Sequence, residues 1–475
     1  MSAAAIDVAR APSSRAARTD AIAERLERLP ASGYLWRLVI LLSLGGWFEI
    51  YDLFFTGYIA PGLTRSGLLT ATTQAFFGFS GIGAFIAATF AGLFVGTFFL
   101  GFLADRFGRR FIFTYALLAY SAASVVMACQ TSAQGVLLWR FLAGIGLGVE
   151  IITIDAYITE LVPSRMRGRA FAVNQAVMLS AVPVVALLSW WLVPLSPAGV
   201  DGWRWVVLIG AAGSMVIWVL RLFVPESPLW LARNGRTAEA LAILQTIEAG
   251  GGGAVVSSPL RGERAAEAAA PVVVPRAGYA ELLRPPHLAL VILFMVFNLC
   301  QAFGVYGFAN WVPTLLVEKG ITVTRSLQYS FIIAIAYPLA PLLAASFADR
   351  FERKWIISVA AVVIGIFGIA FAQFADPVLL IACGVIITAA NMTMSYAYHA
   401  YQTEVFPTRI RARAAGLVYS MSRLSATFSG FIVAYMLREV GVGGVFALIT
   451  AAMAVVVIAI AGFGPNVRGR PLDVA

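Results

Sequence analysis

The sequence predicts an all-α membrane protein of twelve transmembrane helices, arranged as two pseudo-symmetric six-helix bundles. Composition is the first of three observations behind that expectation. Of 475 residues, 60% are hydrophobic and 12% charged, against roughly 25% charged in an ordinary soluble domain, and mean hydropathy is +0.85. The second is the recurrence of continuous apolar stretches of about twenty residues, each long enough to cross a bilayer. In hydrocarbon every backbone polar group must be satisfied within its own segment, and runs this long are helices, not the alternating ten-residue strands of a barrel. The third is an internal repeat.

The spans fall at 35-60, 81-103, 111-129, 134-158, 170-193, 203-224, 288-316, 327-347, 355-374, 377-402, 414-437 and 442-463. Their orientation follows from arginine and lysine, which are retained on the cytoplasmic side during insertion. Arg106, Arg109 and Arg110 follow span two, Arg165, Arg167 and Arg169 span four, Arg350, Arg353 and Lys354 span eight, and Arg409, Arg411 and Arg413 span ten. The alternate loops are poor in cations, with none between Cys129 and Val136. Both termini are therefore expected in the cytoplasm, with the spans crossing a cell's inner (plasma) membrane. The formal charge of +10 and pI near 9.8 belong to this topology signal, and nucleic acid is not an expected partner.

Residues 1-34, which include the amphipathic AIAERLERL, read as a solvated cytoplasmic tail, and 464-475 as a second one. No cleavable signal peptide is recognisable, because a full span follows. Cys129, Cys300 and Cys383 have no paired spacing and read as small packing residues.

The repeat is the most specific feature. GFLADRFGRRFIF begins at Gly101 and ASFADRFERKWII at Ala345, so Asp105 matches Asp349 (349 − 105 = 244). ELVPSRMRGRA begins at Glu160 and EVFPTRIRARA at Glu404, again 404 − 160 = 244. Two matches in one register argue for duplication of a six-helix unit, giving bundles over 35-224 and 288-463. Between them, 225-287 reads as a cytoplasmic linker with a surface helix after PESPLWL and a flexible stretch beyond the glycines Gly250 to Gly253. No GxxxxGK[ST] phosphate loop occurs, and GIGLG at Gly144 to Gly148 lies inside a span, where close helix packing outweighs a dinucleotide fingerprint. Enzymatic activity, a cofactor and a metal site have no supporting feature.

These residues resemble the major facilitator superfamily over nearly the whole chain. GFLADRFGRR and the copy FADRFERK are similar to its loop signature after the second and eighth helices. The resemblance implies a latch at the helix ends, carried by Asp105, Gly108, Arg109, Asp349 and Arg350 and by the paired motifs of Glu160, Arg167, Glu404 and Arg411. Glu352 replaces the turn glycine in the second copy, which implies a weaker latch there. PESPLWL and ELVPSRMRGR are similar to sugar porters and to metabolite:proton and organic-ion symporters. Span seven, NLCQAFGVYGFANWVPTLL, lacks the QLSG-type sugar-porter signature, while EIYD, GIGLGVE and SMSRLS resemble the metabolite and organic-ion groups.

Charges inside spans cost roughly 2.5 to 3.5 kcal/mol each and ask for a partner or a cavity. Glu49 and Asp52 share one face of span one. Asp52 lies about 12 Å and Arg140 about 7 Å below the periplasmic end, so the two can pair. Moving the arginine would then turn proton release into a mechanical event, and the resemblance assigns the matching acid and arginine to proton coupling. A permanent structural salt bridge is the alternative. Glu150, in mid-membrane, joins them as a coupling candidate. Arg423, about 13 Å from the cytoplasmic end of span eleven, is expected to bind a substrate carboxylate, since guanidinium matches it bidentately; pairing with Glu150 or Glu49 is its alternative. Asp155 and His399 are repeat equivalents (399 − 155 = 244) and form either a proton relay or, by the stronger reading, an interfacial pair bound to loop arginines. By resemblance Gln175 matches a sugar-contacting glutamine. Asn298, Gln301, Tyr306, Asn391 and Tyr419 would complete a polar and aromatic pocket, each alone reading equally as interhelical glue.

The expectation is thus a monomeric proton-coupled importer of a small organic acid, an aromatic carboxylate among the candidates, with the proton as coupling ion and the bilayer as surroundings. A sugar or polyol:proton symporter, a proton-driven exporter of drugs or organic cations, and a non-transporting receptor are the rivals.

Overall fold

The computed structural model describes residues 14–70, 81–100, 103–222, 224–250, 279–285, 287–347, 350–406 and 410–467. Among these, ten helical stretches are long and apolar enough to cross a membrane. Two 29-residue helices, Ala133–Leu161 and Arg411–Glu439, complete the twelve spans as numbers four and eleven. They carry the buried Arg140, Glu150 and Arg423.

Four spans are interrupted, each within about one turn of a following proline. Span one runs Gly33–Tyr58 and resumes as Ala60–Arg65, which contains Pro61. Span five is Ser164–Leu179 followed by Ala181–Leu192, with Pro183. Span seven is His287–Ala309 followed by Val312–Glu318, with Pro313, and span eight is Val323–Ala334 followed by Ala336–Phe347, with Pro338. A proline offers no N–H to the carbonyl four residues back, and its ring collides with that carbonyl. Leu179, Ala309 and Ala334 hold that position and end their segments. The crossings expected at 35-60, 170-193, 288-316 and 327-347 therefore each contain a break.

Within the first half, span four packs on span two (Gly81–Leu100) and span three (Arg109–Ala128), and span six (Gly202–Arg221) packs on spans one and three. In the second half, span nine (Arg353–Gln373) packs on span ten (Pro377–Val405) and span twelve (Val442–Phe463), and span seven on spans eleven and twelve. The halves meet along two seams, span two against span eleven and span eight against span five. A six-helix shift converts one seam into the other, as duplication requires. GIGLG is a packing motif: a Cβ at Gly144 would lie 2.5 Å from the Thr89 carbonyl oxygen, and one at Gly92 would lie 2.1 Å from that of Phe141.

Each described chain end lies beside one copy of the repeated loop motif, through Arg167–Glu27 at the first and the Val467 N–H on Glu352 at the second. The solvated-tail reading of 1-34 does not hold there: Ser14–Glu27 is a helix whose Ile22 and Leu26, with Leu29 beyond it, are buried against Trp230, Leu231, Leu244 and Ile247. Those partners belong to two linker helices, Pro228–Arg233 and Thr237–Gly250. Arg25 binds Glu248 at 2.8 Å, and Arg167 binds Glu27 at 3.0 Å. An amphipathic helix keeps its apolar stripe out of water when a second one is within reach. The short segment alone could not reveal that partner.

Candidate functional site

On the latch face the repeat becomes geometry. Arg109 pairs with Glu160 at 3.2 Å, and Arg353 pairs with Glu404 at 3.4 Å; both residues of the second pair are 244 positions beyond those of the first (353 − 109 = 404 − 160 = 244). Glu160 also accepts from Ser227 Oγ at 2.6 Å. Gly108 has φ 105° and precedes span three, and the Glu226 carboxylate accepts from the Arg110 N–H at 3.1 Å. Burial holds the Glu226 carboxyl above its ordinary range, against the backbone donors of Ser227, Arg110 and Arg109 that lower it. At the matching place Glu352 has φ −64°, so no glycine is required, and its carboxylate accepts from the Val467 N–H at 2.7 Å. Arg167 donates to the Val162 carbonyl at 3.0 Å, and Arg350 is exposed. The side chains of Asp105, Asp155 and Arg411, and the whole of Asp349, lie outside the described residues.

In the first bundle Arg140 reaches across from span four and spends its guanidinium on span one. It donates to Asp52 Oδ2 at 2.7 Å, to the Asp52 carbonyl at 2.7 Å and to Thr56 Oγ1 at 2.6 Å. Its Nε donates to Thr89 Oγ1 at 2.9 Å, and its plane sits 4.4 Å from the Phe55 ring centroid. Ser124 of span three donates to the other Asp52 oxygen at 3.0 Å. The expected pair is therefore formed. Five hydrogen bonds fix it, and Thr56, Thr89 and Ser124 are partners that spacing within one helix could not name.

Glu150 does not join that pair by contact. It is bonded by Arg221, the last residue of span six, which also donates to the Phe113 carbonyl and stacks 3.6 Å over the Phe113 ring. All three of these residues are buried. At sequence level Arg221 reads as one more cation at a cytoplasmic helix end, yet it is withdrawn into the bundle against Gly45, where a Cβ would lie 2.0 Å from its Nη2.

Arg423 lies at the seam between the bundles. Its terminal nitrogens donate to the hydroxyls of Tyr306 at 2.8 Å and Tyr419 at 3.1 Å, and it lies 5.0 Å from the Tyr419 ring centroid. Among the described residues no carboxylate stands within 4.0 Å of it, and its Nε has no hydrogen-bond acceptor. Glu49 acts on it through space, and Glu150 is committed to Arg221. Tyr306 packs edge-on against Phe90 of span two, 4.7 Å between centroids, so this cluster touches both halves. His399 packs on Tyr419 at 5.6 Å and meets the Ser395 carbonyl through Nδ1, which sets it beside the Arg423 cluster; Arg409 and the Arg411 side chain lie outside the described residues. Asn298 bridges to Tyr398 and the Phe294 carbonyl, and Asn391 donates to the Gly304 carbonyl at 3.2 Å, so both tie spans seven and ten together. Gln301 is buried, whereas Gln175 is exposed. Toward the face opposite the latches, Gly57 meets the Asn310 backbone, Phe54 packs on Tyr337 and Trp190 on Phe331, which closes that end of the seam.

Residues 38–475 match the family described as sugar (and other) transporter. The chain belongs to that family. It is a multi-pass membrane transporter of the major facilitator superfamily, similar to the sugar porters. A protein of Bacillus subtilis named for metabolite transport, YyaJ, is 30% identical over 95% of this chain and 96% of its own length. The niacin transporter NiaP of Acinetobacter baylyi is 27% identical over 95% of this chain and 99% of its own. Among solved structures, the partially occluded inward-open xylose transporter XylE from E. coli shares the fold of this sugar-porter-like transporter, with a TM-score of 0.72 at 20% identity over 93% of this chain and 100% of that one.

Proposed function

We propose that this transporter carries a small organic acid into the cell together with protons, by alternating access, and that an aromatic monocarboxylate is its substrate class. One observation carries the reading. Arg423 is buried at the seam with two tyrosine hydroxyls as its partners and no carboxylate within ion-pair distance among the described residues. A buried cation that is hydrogen-bonded but not neutralised at close range is poised for an anion. Tyr306, Tyr419 and His399 supply flat faces around it, and niacin, named for one relative, is an aromatic monocarboxylate. Asp52, held by Arg140, is the coupling acid: protonation would release the arginine's grip, and re-pairing would expel the proton.

In this reading the latch face is cytoplasmic, because the arginines retained during insertion lie there, and the membrane is the inner one. The proton is the coupling ion. A monoanion entering with one proton moves no net charge, so the pH difference drives it. Each further proton would add about 2.3 kcal/mol per 100 mV.

A sugar:proton symporter is the second reading, favoured by the family match. Uptake into proteoliposomes across carboxylates, sugars and amines, with and without a pH gradient, decides between them. Carboxylate uptake that needs Arg423 is expected. Sugar uptake indifferent to Arg423→Gln would favour the second reading instead.

A further inference from the structure

Span three contains a polar stripe of which only Ser124 serves the Asp52–Arg140 pair and none serves the substrate cluster. Thr114, Ser121 and Ser124 fall within an arc of about 80° at 100° per residue, and Tyr120 flanks them. All four are buried. Ser124 is bonded to Asp52. The hydroxyls of Thr114, Tyr120 and Ser121 have no hydrogen-bond partner among the described residues. A buried hydroxyl is costly unless bonded, and ordered water is the usual remedy.

The stripe leads toward the second buried pair. Arg221 lies against Gly45, seven residues before Asp52 on the same helix, about 10 Å nearer the latch face. It also bonds the carbonyl of Phe113, the residue preceding Thr114. Tyr120 lies between the pairs on span three, one turn from Ser124 and two from Phe113, and a Cβ at Gly146, one turn before Glu150 on span four, would lie 2.9 Å from its Cβ.

We propose that Glu150 is a second proton acceptor, and that the proton released by Asp52 reaches it inside the first bundle along Ser124, Ser121 and Tyr120 instead of through the cavity between the halves. The protonated Asp52 carboxyl gives its proton to a hydroxyl or water oxygen and returns to its ion pair with Arg140. Each hydroxyl accepts one proton and passes on its own. The Glu150 carboxylate accepts the last, its ion pair with Arg221 becoming a hydrogen bond from guanidinium to neutral acid. Glu150 then yields the proton to water at the latch face, so one proton enters and one leaves. Substrate and proton would thus take different exits, which keeps the substrate site from shorting the proton pathway.

This rests on the proton-symport reading, and the test separates the two. Tyr120→Phe and Ser121→Ala each remove one oxygen and leave both ion pairs and Arg423 in place. In proteoliposomes loaded with a pH-sensitive dye and given an aromatic carboxylate, either variant is expected to slow substrate-coupled proton entry by roughly tenfold. Counterflow exchange of substrate at equal pH should stay within about twofold of the parent protein, which also reports folding. If one variant does not fold, the other is read in the same way, and the parent's proton-coupled step should slow in heavy water while its counterflow does not. Parent-like proton entry in both variants, or a heavy-water effect no larger on coupled entry than on counterflow, overturns the route alone. A parent protein that moves substrate without protons overturns the route and the symport reading together.

Discussion

Arg221 donates to Glu150 between spans six and four, and neither side chain has any exposed surface. Breaking such a pair leaves a lone buried charge, which costs about 3–5 kcal/mol, whereas replacing both ions by apolar groups is often neutral. Arg221→Leu is therefore expected to lower the thermal midpoint in detergent sharply. Adding Glu150→Leu should restore most of it. A single variant as stable as the parent would show that the pair contributes little to the fold.

Asp52 is held by Arg140 and Ser124. Asp52→Asn keeps an acceptor for Arg140 but cannot release a proton. Gradient-driven accumulation of substrate is expected to disappear while exchange at equal pH persists, both measured as radiolabel uptake. Accumulation by the Asp52→Asn variant would remove the coupling role from this carboxyl.

Arg423 offers charge-assisted bonds that no neutral residue matches. Such bonds contribute about 1.5–3 kcal/mol each, so Arg423→Gln should weaken carboxylate binding by roughly ten- to a hundredfold. Direct titration of the purified protein measures this. An amide analogue of the same ligand should be nearly indifferent to the change.

The Glu226 carboxyl lies above its ordinary range because of burial, and the sign of its pH effect follows. A raised native value means the native state binds more protons than the unfolded one across that interval, so stability falls as pH rises from about 4.3 through the raised value and levels off above it. Glu226→Gln removes this component while keeping an acceptor for the Arg110 N–H. The variant's thermal midpoint should gain on the parent's as pH rises over that interval, and a gap independent of pH would contradict the assignment.

The two repeat-related ion pairs differ in length and exposure. The Arg109 and Glu160 side chains are 12% and 9% exposed and Glu160 has a further Ser227 bond, whereas those of Arg353 and Glu404 are 15% and 30% exposed at a longer distance. Screening weakens exposed pairs to about 0–1 kcal/mol. Arg109→Ala should cost more thermal stability than Arg353→Ala, and high salt should affect the second pair more.

Much of this protein is legible in its linear chain because bilayer physics is local. The need to satisfy backbone groups within one segment makes each span visible as an apolar run, and the shared offset exposes the duplication behind both the Arg109–Glu160 and Arg353–Glu404 ion pairs. Asp52 and Arg140 could be offered as a pair because antiparallel helices of known rise bring them to similar depths and the family resemblance pointed the same way. The breaks at Leu179, Ala309 and Ala334 were also written in the chain, as prolines four residues on, though an apolar-run reading passes over them.

Tertiary structure alone decided which charges meet. Depth along a helix says nothing about which way a side chain faces, so Glu150 could be offered to Arg423 as a partner when Arg221 in fact binds it. The same limit left Tyr306 and Tyr419 as pocket candidates without showing that their hydroxyls bond Arg423, and it hid the docking of Ser14–Glu27 on the linker helices. Twelve spans, their duplication and the cost of each buried charge follow from the linear chain. Which partner offsets each cost depended on how the helices rotate and pack, a property of neighbours far apart in the chain.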